Sequence, residues 1–330
     1  MVTVTVRVRA RERAENEIQA IPDGTYETQD VLEGDGVTDE EIPIAVSITV
    51  DGETVDVDFD GTAPQVDGNM NAPLSVAKSA VYFVVRAVTD PDIPPTDGCY
   101  QPVTVSAPEG SLLNPTHPAA VVGGNVETSQ RVTDVVLSAF AEALPEKIPA
   151  QSQGTMNNLI IGGRNEADFT YYETIAGGFG GRSTCDGMDG VQVGMTNTLN
   201  TPIEALEAEY PMRVESYALR PDSGGDGRYR GGLGIVRSVT VEADATVSLL
   251  TERRQVPPAG AHGGEDAAMG ENYIGGEAVP AKTTETVSAG TTVTVKTPGG
   301  GGYGDPDERH PEARENDRRD GKTQTEEHRE

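Results

Sequence analysis

Amide and hydroxyl side chains are concentrated at three places in this 330-residue chain. One cluster opens the stretch Gly123–Asn158, a second closes it, and the third is MTNTLNTP at 195–202. Because amides both donate and accept hydrogen bonds, such clusters suit a neutral polar ligand with an amide or imide edge. The alternative is that they satisfy the backbone of buried loops. The candidate binding residues are Asn125, Gln130, Gln153, Thr155, Asn157, Asn158, Thr196, Asn197 and Asn200.

Groups that could move protons or attack a substrate are scarce around these clusters. Glu127 and Glu173 are the candidate acid/base residues. The four histidines do not show metal-ligand spacing, so the sequence predicts no metal site in this chain. A serine-hydrolase elbow, Gly-x-Ser-x-Gly, is absent, and Cys185 has no histidine near it in the sequence. The pattern therefore predicts binding groups without a complete catalytic set.

Two glycine runs, GGFGG at 177–181 and PGGGGYGDP at 298–306, invite comparison with phosphate-binding loops. Neither carries the Lys-Ser/Thr of such a loop, nor the strand–helix context of a dinucleotide-binding turn. We expect the first run to pass close to a ligand or to neighbouring backbone. We expect the second to form a turn that ends a strand.

The formal net charge of −29 excludes several classes of partner. Nucleic acids and anionic lipid surfaces both require a cationic footprint, which this chain lacks. High charge with only 35% apolar residues is typical either of disorder or of a folded protein in a high-salt cytoplasm. Because apolar segments recur between the acidic ones, we favour a salt-adapted folded protein.

The chain also lacks sequence signals for a membrane or for secretion. No apolar run approaches the ~18 residues of a membrane span, and the first residues have no signal-peptide core. Cys99 and Cys185 have no Cys-x-x-Cys spacing and are expected to be reduced thiols. The predicted location is the cytoplasm.

Apolar spacing predicts the elements that carry the polar clusters. Alternation on both sides of Asp51-Gly52 predicts a hairpin over 42–62. Apolar residues at helical spacing predict helices at 74–90 and 130–144. Thr128 or Ser129 is expected to cap the second of these helices.

These elements indicate an α+β fold with a mixed helical and strand central part and a β-rich C-terminal region. Residues 1–9 are expected to be a strand or unstructured, residues 10–20 helical, and the acidic stretch after them a loop. The predicted regions are a 1–40 N-terminal helix and acidic loop, a 41–211 central α+β substrate-site region, a 212–305 β-rich region and a 306–330 disordered charged tail.

Several blocks of this sequence occur in a specific order. They include DFDGTAPQVDGNMNAP (58–73), GGNVETSQRVTD (123–134), SQGTMNNL (152–159), MTNTLNTPIEALE (195–207), YALRPDSGGDGRYRGGLGIVR (217–237) and TPGGGGYGDP (297–306). Together these blocks closely resemble the hydantoinase B/5-oxoprolinase family, and the similarity covers roughly residues 10–306. That family includes the N-methylhydantoinase B subunit, the C-terminal half of 5-oxoprolinase and the acetone carboxylase alpha subunit.

The resemblance implies an ATP-dependent system for the hydrolytic ring opening of a hydantoin or a 5-oxoproline-like cyclic amide. A hydantoinase A-like partner subunit would bind ATP with Mg and phosphorylate the substrate oxygen. The resulting phospho-imidate has a good leaving group, so water can attack it at neutral pH. No cofactor is expected on this chain itself.

The resemblance also implies departures from the family. Relatives are longer at the N-terminus and carry there His- and Asp-rich blocks that bind a divalent metal, and this chain has neither block. Gly194 stands before MTNT where relatives are expected to carry His. We therefore expect the C-terminal portion of a B subunit, truncated or acting with a separate N-terminal half. The alternatives are a non-catalytic assembly partner or inactive fragment, or part of an acetone-carboxylase-like complex.

Overall fold

The structure, a computed structural model, describes residues 2–165 and 168–324. The chain divides into two units, Met1–Ile148 and Pro149–Glu330. Both helices and strands are present in each unit, which confirms the predicted α+β class. The division falls inside the predicted central region, 41–211.

The first unit is a four-stranded sheet with helices packed against it. Its strands lie in the order β1-β2-β3-β4, and only β3 and β4 are parallel. The elements are α1 (Val2–Ile18), β1 (Gly24–Glu33), β2 (Glu41–Asp51), β3 (Thr54–Asp58), α2 (Leu74–Val88), α3 (Asp97–Tyr100), β4 (Val103–Ser106), a 3-10 helix (Gly123–Asn125) and α4 (Glu127–Ala143).

The apolar segments of the first unit form the hairpin and the helices that the sequence predicts. The hairpin between β2 and β3 is confirmed, with Thr54 paired to Asp51. Gly52 in its turn adopts φ +57°, a left-handed conformation that glycine accepts without steric cost. Helix α2 matches the predicted helix, and α4 packs against α2, β1 and β2. The acidic stretch predicted as a loop is shorter than expected, because β1 continues to Glu33.

The N-terminal residues differ from the prediction, since α1 begins at Val2 instead of following a strand or unstructured start. Ala10 and Ala14 are buried against Ile93 and Cys99, which anchors the helix. The backbone carbonyl of Arg7 in α1 lies very close to α3. A Cβ added at Gly98 would be 2.0 Å from the Arg7 carbonyl oxygen. Tertiary packing therefore overrides the strand preference of the β-branched residues.

The start of α4 also differs from the prediction. The helix begins at Glu127, three residues before the predicted start at 130, and no side chain caps it. The Thr128 hydroxyl donates instead to the Met70 carbonyl at 2.6 Å, and the Ser129 hydroxyl donates to the Asn125 carbonyl at 3.0 Å. The predicted cap is thus wrong, because these hydroxyls hold the helix to a neighbouring loop and to the preceding turn.

The second unit contains two antiparallel sheets, ordered β12-β9-β5-β6 and β11-β10-β13-β8-β7. Apolar side chains from both, including Leu159, Val239 and Val247, form one buried cluster. The elements are β5 (Asn158–Gly163), β6 (Thr170–Thr174), α5 (Ile203–Glu209), β7 (Met212–Leu219), β8 (Ile235–Val241), β9 (Ala245–Leu250), β10 (Glu271–Ile274), β11 (Glu277–Ala278), β12 (Lys282–Val287), β13 (Thr291–Lys296), a 3-10 helix (Pro306–Glu308) and α6 (Pro311–Arg319).

Glycine-rich segments outside the strands pack backbone to backbone in the second unit. A Cβ at Gly180 would lie 1.8 Å from the Ala150 carbonyl oxygen, and one at Gly231 would lie 1.7 Å from that of Gly300. Backbone hydrogen bonds connect the segments, such as Gly232 N–H to Phe179 O at 2.8 Å. The GGFGG run therefore meets neighbouring backbone, one of its two predicted alternatives. The second run follows β13 and hydrogen-bonds to neighbouring backbone, with Gly300 N–H to Gly232 O at 2.9 Å and Gly301 N–H to Gln151 O at 2.8 Å, where the sequence predicted a turn.

The predicted disordered tail is structured up to residue 324. Helix α6 follows the 3-10 helix, and Arg309 between them is buried. The Arg309 guanidinium contacts Asp186 at 2.7 and 2.9 Å and Asp317 at 2.6 Å. These charges hold the segment to the rest of the unit, which composition alone does not indicate. Residues 325–330 of the predicted tail lie outside the described residues.

Within residues 2–165 and 168–324, no helix combines the length and the apolar character needed to cross a membrane. Both cysteines are free thiols, Cys99 buried and Cys185 half-buried.

Candidate functional site

The first amide cluster lies at the start of α4 in the first unit. Asn125 is exposed, whereas Glu127 and Gln130 are buried, at 0% and 1% exposure. The preceding glycines allow this placement, because a Cβ on Gly124 would lie 1.9 Å from the Asn71 carbonyl oxygen. Glu127 is in the first helical turn, where the positive end of the helix dipole favours a carboxylate.

A buried ion pair extends the polar character of this helix end. Arg131, with no exposed surface, contacts Asp30 on β1 at 2.8 Å. Asn71 adds a hydrogen-bonded support, since its amide donates to the carbonyls of Val66, Gly68 and Ala120. These contacts fix the loop and the sheet edge around the helix start. Of this group, Asn125 is the predicted residue that a ligand in solution can reach.

The second cluster forms one buried hydrogen-bond network in the second unit. The Asn157 amide donates to Gln153 Oε1 at 2.8 Å and to the Ile175 carbonyl at 3.2 Å. Thr155 Oγ1 accepts from the backbone N–H of Asn157 at 3.1 Å. The backbone at Asn157 is left-handed, with φ +48°, a conformation that asparagine tolerates better than most residues. Three predicted residues are thus brought together around one strained position.

The fourth predicted residue of this cluster, Asn158, lies on β5 and bonds residues of the neighbouring strands β9 and β6. The Asn158 amide donates to the Leu250 carbonyl at 2.8 Å, and its oxygen accepts from the Tyr172 hydroxyl at 2.7 Å. The amides of this cluster are therefore engaged by protein groups, as the alternative interpretation expects of buried amides. Their assignment to substrate binding stays a prediction.

Sequence reasoning missed the charged residues that complete this network. Arg254 donates to Asn157 Oδ1 and to Asn272 Oδ1, both at 2.7 Å. Glu252, with no exposed surface, pairs with Lys282, which is 7% exposed. A usable signal was the run TERR at 251–254, which places charges directly after the apolar strand β9. Charges that follow a buried strand without a turn are expected to have partners.

Glu173 is held in a separate contact in the second unit. Its carboxylate accepts from Arg237 at 3.1 and 3.3 Å and from the Tyr171 hydroxyl at 2.9 Å. Burial, together with the adjacent charge of Glu173, raises the pKa of Tyr171. Both carboxylate oxygens of Glu173 accept hydrogen bonds, an arrangement that positions Arg237. The assignment of Glu173 as an acid/base residue stays a prediction.

The third cluster lies in an exposed loop, with Asn197 and Asn200 exposed and Thr196 half-buried. Asn200 donates to the Tyr217 hydroxyl. Asn200, Tyr217 and Glu173 line a small cavity of about 10 Å³, enough for about one water molecule. Glu173 and Asn200, which the sequence predicted separately, therefore line the same cavity. Gly194 before this loop has φ +58°, a conformation that favours glycine.

No group of three or more His, Cys, Asp or Glu side chains in the described part of the chain is placed to hold a metal ion.

Two solved structures share the fold of this chain. The ATP-dependent caprolactamase of Pseudomonas jessenii matches with a TM-score of 0.87 and 26% identity, over 97% of this chain and 58% of that one. The nucleotide-free acetone carboxylase matches with a TM-score of 0.82 and 18% identity, over 95% and 50%. The second likeness shows the fold alone.

The family follows from the sequence comparison. The family model described as Hydantoinase B/oxoprolinase matches residues 3–306, and the chain belongs to this family. This confirms the resemblance seen in the sequence blocks.

Named relatives agree with this assignment. An uncharacterized protein of Methanocaldococcus jannaschii is 45% identical over 275 residues, 82% of this chain and 48% of that protein. The 5-oxoprolinase 1 of Arabidopsis thaliana is 42% identical over 290 residues, 85% and 22%. The B subunit of a putative D-/L-hydantoinase of Pseudomonas sp. is 33% identical over 313 residues, 89% and 53%. The chain thus spans about half the length of the first and third of these relatives and about a fifth of the length of the second.

Proposed function

We propose that this chain is the C-terminal part of a hydantoinase B/oxoprolinase-type subunit. With an ATP-binding A subunit it would open a cyclic amide, such as a hydantoin or 5-oxoproline, by hydrolysis. The observation that carries the proposal is the similarity to a protein named 5-oxoprolinase across 85% of the chain. The likeness to a protein named ATP-dependent caprolactamase supports the same bond type, because caprolactam is also a cyclic amide.

The chemistry explains why ATP is needed. An amide carbonyl is a weak electrophile, and phosphorylation of its oxygen creates a leaving group that water can displace. In this proposal ATP and Mg bind the A subunit, and a divalent metal binds the N-terminal half that relatives carry. No step through these groups is assigned to residues of this chain, because its described residues do not assemble a metal centre.

The contribution of this chain is the recognition and positioning of the ring. In the second unit, Asn197 and Asn200 are exposed and can offer amide groups to a lactam N–H and C=O. The buried Asn157 amide donates to Gln153 Oε1 and to the Ile175 carbonyl, which fixes the loop that carries Gln153 and Asn157. Glu127 and Glu173 are the proposed acid/base residues. The complete burial of Glu127 makes proton transfer from it depend on local rearrangement.

A reconstituted complex tests the proposal. The chain is combined with an A subunit and a polypeptide that supplies the N-terminal half, and ADP release is followed with 5-oxoproline, hydantoin or caprolactam. We expect at least one cyclic amide to stimulate ADP release and to yield a ring-opened product. If none does so in an assembled complex, the proposed reaction is wrong.

Substitution of exposed asparagines distinguishes recognition of the cyclic amide from a role in complex assembly alone. Asn197→Ala and Asn200→Ala should each raise the KM for the cyclic amide up to about tenfold, the loss of one hydrogen bond. Asn16→Ala is the matched control, since Asn16 is an exposed asparagine on α1 outside the clusters. If both substitutions behave like the control, the non-catalytic assembly role is favoured.

A further inference from the structure

A cavity of about 320 Å³ lies in the second unit beside the C-terminal helix α6. Its walls come from the glycine-rich loop 222–227 and from the segment 306–324, and no residue of the three amide clusters lines it. The volume is at the lower end of the roughly 300–1,000 Å³ of small-molecule sites. Helix α6 lies beyond residues 3–306, the range matched by the family model, so the cavity is not among the features by which the family is recognised.

The lining of this cavity carries charges of both signs. Arg314 and Arg318 are four residues apart on α6, a spacing that places both guanidinium groups on one face of the helix. Asp222 and Asp226 belong to the loop, and Asp307 lies in the 3-10 helix that precedes α6. We call this feature the mixed-charge cavity.

Several of these charged groups have hydrogen-bonding capacity that the protein does not use. In the part of the chain that the structure describes, the carboxylates of Asp226 and Asp307 accept no hydrogen bond and form no ion pair. Arg314 donates one N–H to a backbone carbonyl, and Arg318 approaches Glu315 at 3.9 Å. Because a guanidinium group has five N–H donors, both arginines keep donors for a ligand.

The two walls of the cavity are fastened to each other. The Asp222 N–H donates to the Lys322 carbonyl at 3.0 Å, and the Gln324 N–H donates to Asp222 Oδ1 at 3.0 Å. The Lys322 ammonium contacts Asp189 at 2.9 Å. A site that is held in this way loses little conformational entropy when a ligand binds.

We propose that the mixed-charge cavity binds an amino acid in its zwitterionic form. The ligand carboxylate would lie against Arg314 and Arg318, whose planar guanidinium groups match carboxylate oxygens. The ligand ammonium group would lie against Asp222 and Asp226. A simple anion is disfavoured by the aspartates and a simple cation by the arginines, whereas a ligand that carries both charges satisfies both sets.

Ring opening of a lactam produces such a ligand. Water forms a C–O bond at the carbonyl carbon and the C–N bond breaks, which leaves a carboxylate and an amine that is protonated at neutral pH. The product of the reaction could therefore bind this chain at a place apart from the amide clusters. The identification of the amino acid as this product rests on the proposed function, whereas the binding site itself does not.

Isothermal titration calorimetry of the full chain tests the site. The ligands are L-glutamate and 6-aminohexanoate, the ring-opened forms of 5-oxoproline and caprolactam, together with L-alanine as an amino acid of another source. Propionate and propylammonium are the controls with one charge each. We expect an amino acid to bind at least about tenfold more tightly than either control. The absence of amino-acid binding, or equal binding of propionate or propylammonium, would overturn the proposal.

The same titrations distinguish the sources of the ligand. Tighter binding of L-glutamate or 6-aminohexanoate than of L-alanine supports the site as one for the ring-opened product. Equal binding of all three supports the site as one for amino acids in general.

Substitutions locate the binding in the cavity. Arg318→Gln and Asp226→Asn should each weaken amino-acid binding at least about tenfold, because each removes a charged hydrogen-bond partner. Arg319→Gln is the matched control, since Arg319 is 67% exposed on the same helix and does not line the cavity. All three side chains are exposed, so the melting temperature of each variant should stay within about 2 °C of the original.

The outcomes separate this site from the proposed reaction. Undiminished binding in both Arg318→Gln and Asp226→Asn would overturn the cavity as the binding site. Amino-acid binding to a chain whose reconstituted complex shows no cyclic-amide-stimulated ADP release contradicts only the proposed reaction. An active complex whose chain binds no amino acid contradicts only the mixed-charge cavity.

Discussion

Gly231 is the position where a single methyl group should disturb the second unit most clearly. In Gly231→Ala the new Cβ would lie 1.7 Å from the Gly300 carbonyl oxygen, half of the 3.4 Å at which ordinary contacts begin. The obstructing atom belongs to the backbone, so no side-chain rotation relieves the overlap. The two segments must separate, which strains the hydrogen bonds from Gly225 N–H to Gly300 O and from Gly231 N–H to Gly225 O, both 2.9 Å.

The expected cost follows from these contacts. Overpacking a close-packed site costs about 1–3 kcal/mol, and each weakened hydrogen bond adds about 1 kcal/mol. The free energy of unfolding should therefore fall by about 3–5 kcal/mol. For a unit of this size the melting temperature should fall by roughly 10 °C.

Gly162→Ala is the matched control, because a Cβ there meets no atom within 4 Å. Loss of chain freedom in the unfolded state should make this control neutral or slightly stabilising, by about 0.4–1 kcal/mol. Calorimetric or circular-dichroism melts of both variants in the same buffer provide the measurement. If Gly231→Ala melts within about 2 °C of Gly162→Ala, the close backbone packing of the glycine segments is wrong.

Four further predictions concern charge and hydrogen bonding. Arg309→Ala should lower the free energy of unfolding by about 2 kcal/mol, since it removes the partner of Asp186 and Asp317; an unchanged melting temperature would contradict the anchoring of the C-terminal segment. Burial opposes ionisation of Asp186, but Arg309 outweighs it and lowers the pKa, so this stabilisation should be present above about pH 4 and fade on further acidification, and a pH series of melts should show a smaller acid-induced loss in Arg309→Ala. Molar KCl should raise the melting temperature relative to low salt, because screening relieves the repulsion of a net charge of −29; equal stability in both would refute salt adaptation. Thr128→Val should cost about 1–2 kcal/mol by leaving the buried Met70 carbonyl without its donor, whereas Thr128→Ser should cost less, and equal melts of the two variants would contradict this role.

Short-range patterns in this sequence predict structure well. The Asp51-Gly52 turn and the alternating residues beside it specify the β2–β3 hairpin, because turn geometry and strand alternation are local properties. The helical spacing of Val132, Val136 and Phe140 likewise predicts α4, although not its first turn. The start of that helix depends on a contact with Met70, far away in the sequence.

Long-range contacts account for the remaining differences. The tail has the composition of a disordered segment, yet Arg309 binds Asp186, 123 residues away, and this pairing has no local signature. The glycine runs could not be paired from the sequence, because segments around Phe179, Gly231 and Gly300 must first be brought together. For the candidate site, residue types predicted where the amides cluster, but not that Arg254 would bind Asn157.

Substrate-dependent ATP hydrolysis tests the proposed function most directly. The chain, an A subunit and a polypeptide that supplies the N-terminal half are combined, and ADP release is measured with and without 5-oxoproline, hydantoin and caprolactam. We predict that a cyclic amide accelerates ADP release, that a ring-opened product accumulates with it, and that omission of this chain abolishes both. Unchanged ADP release with every cyclic amide, or full activity without this chain, would contradict its role in ATP-dependent ring opening.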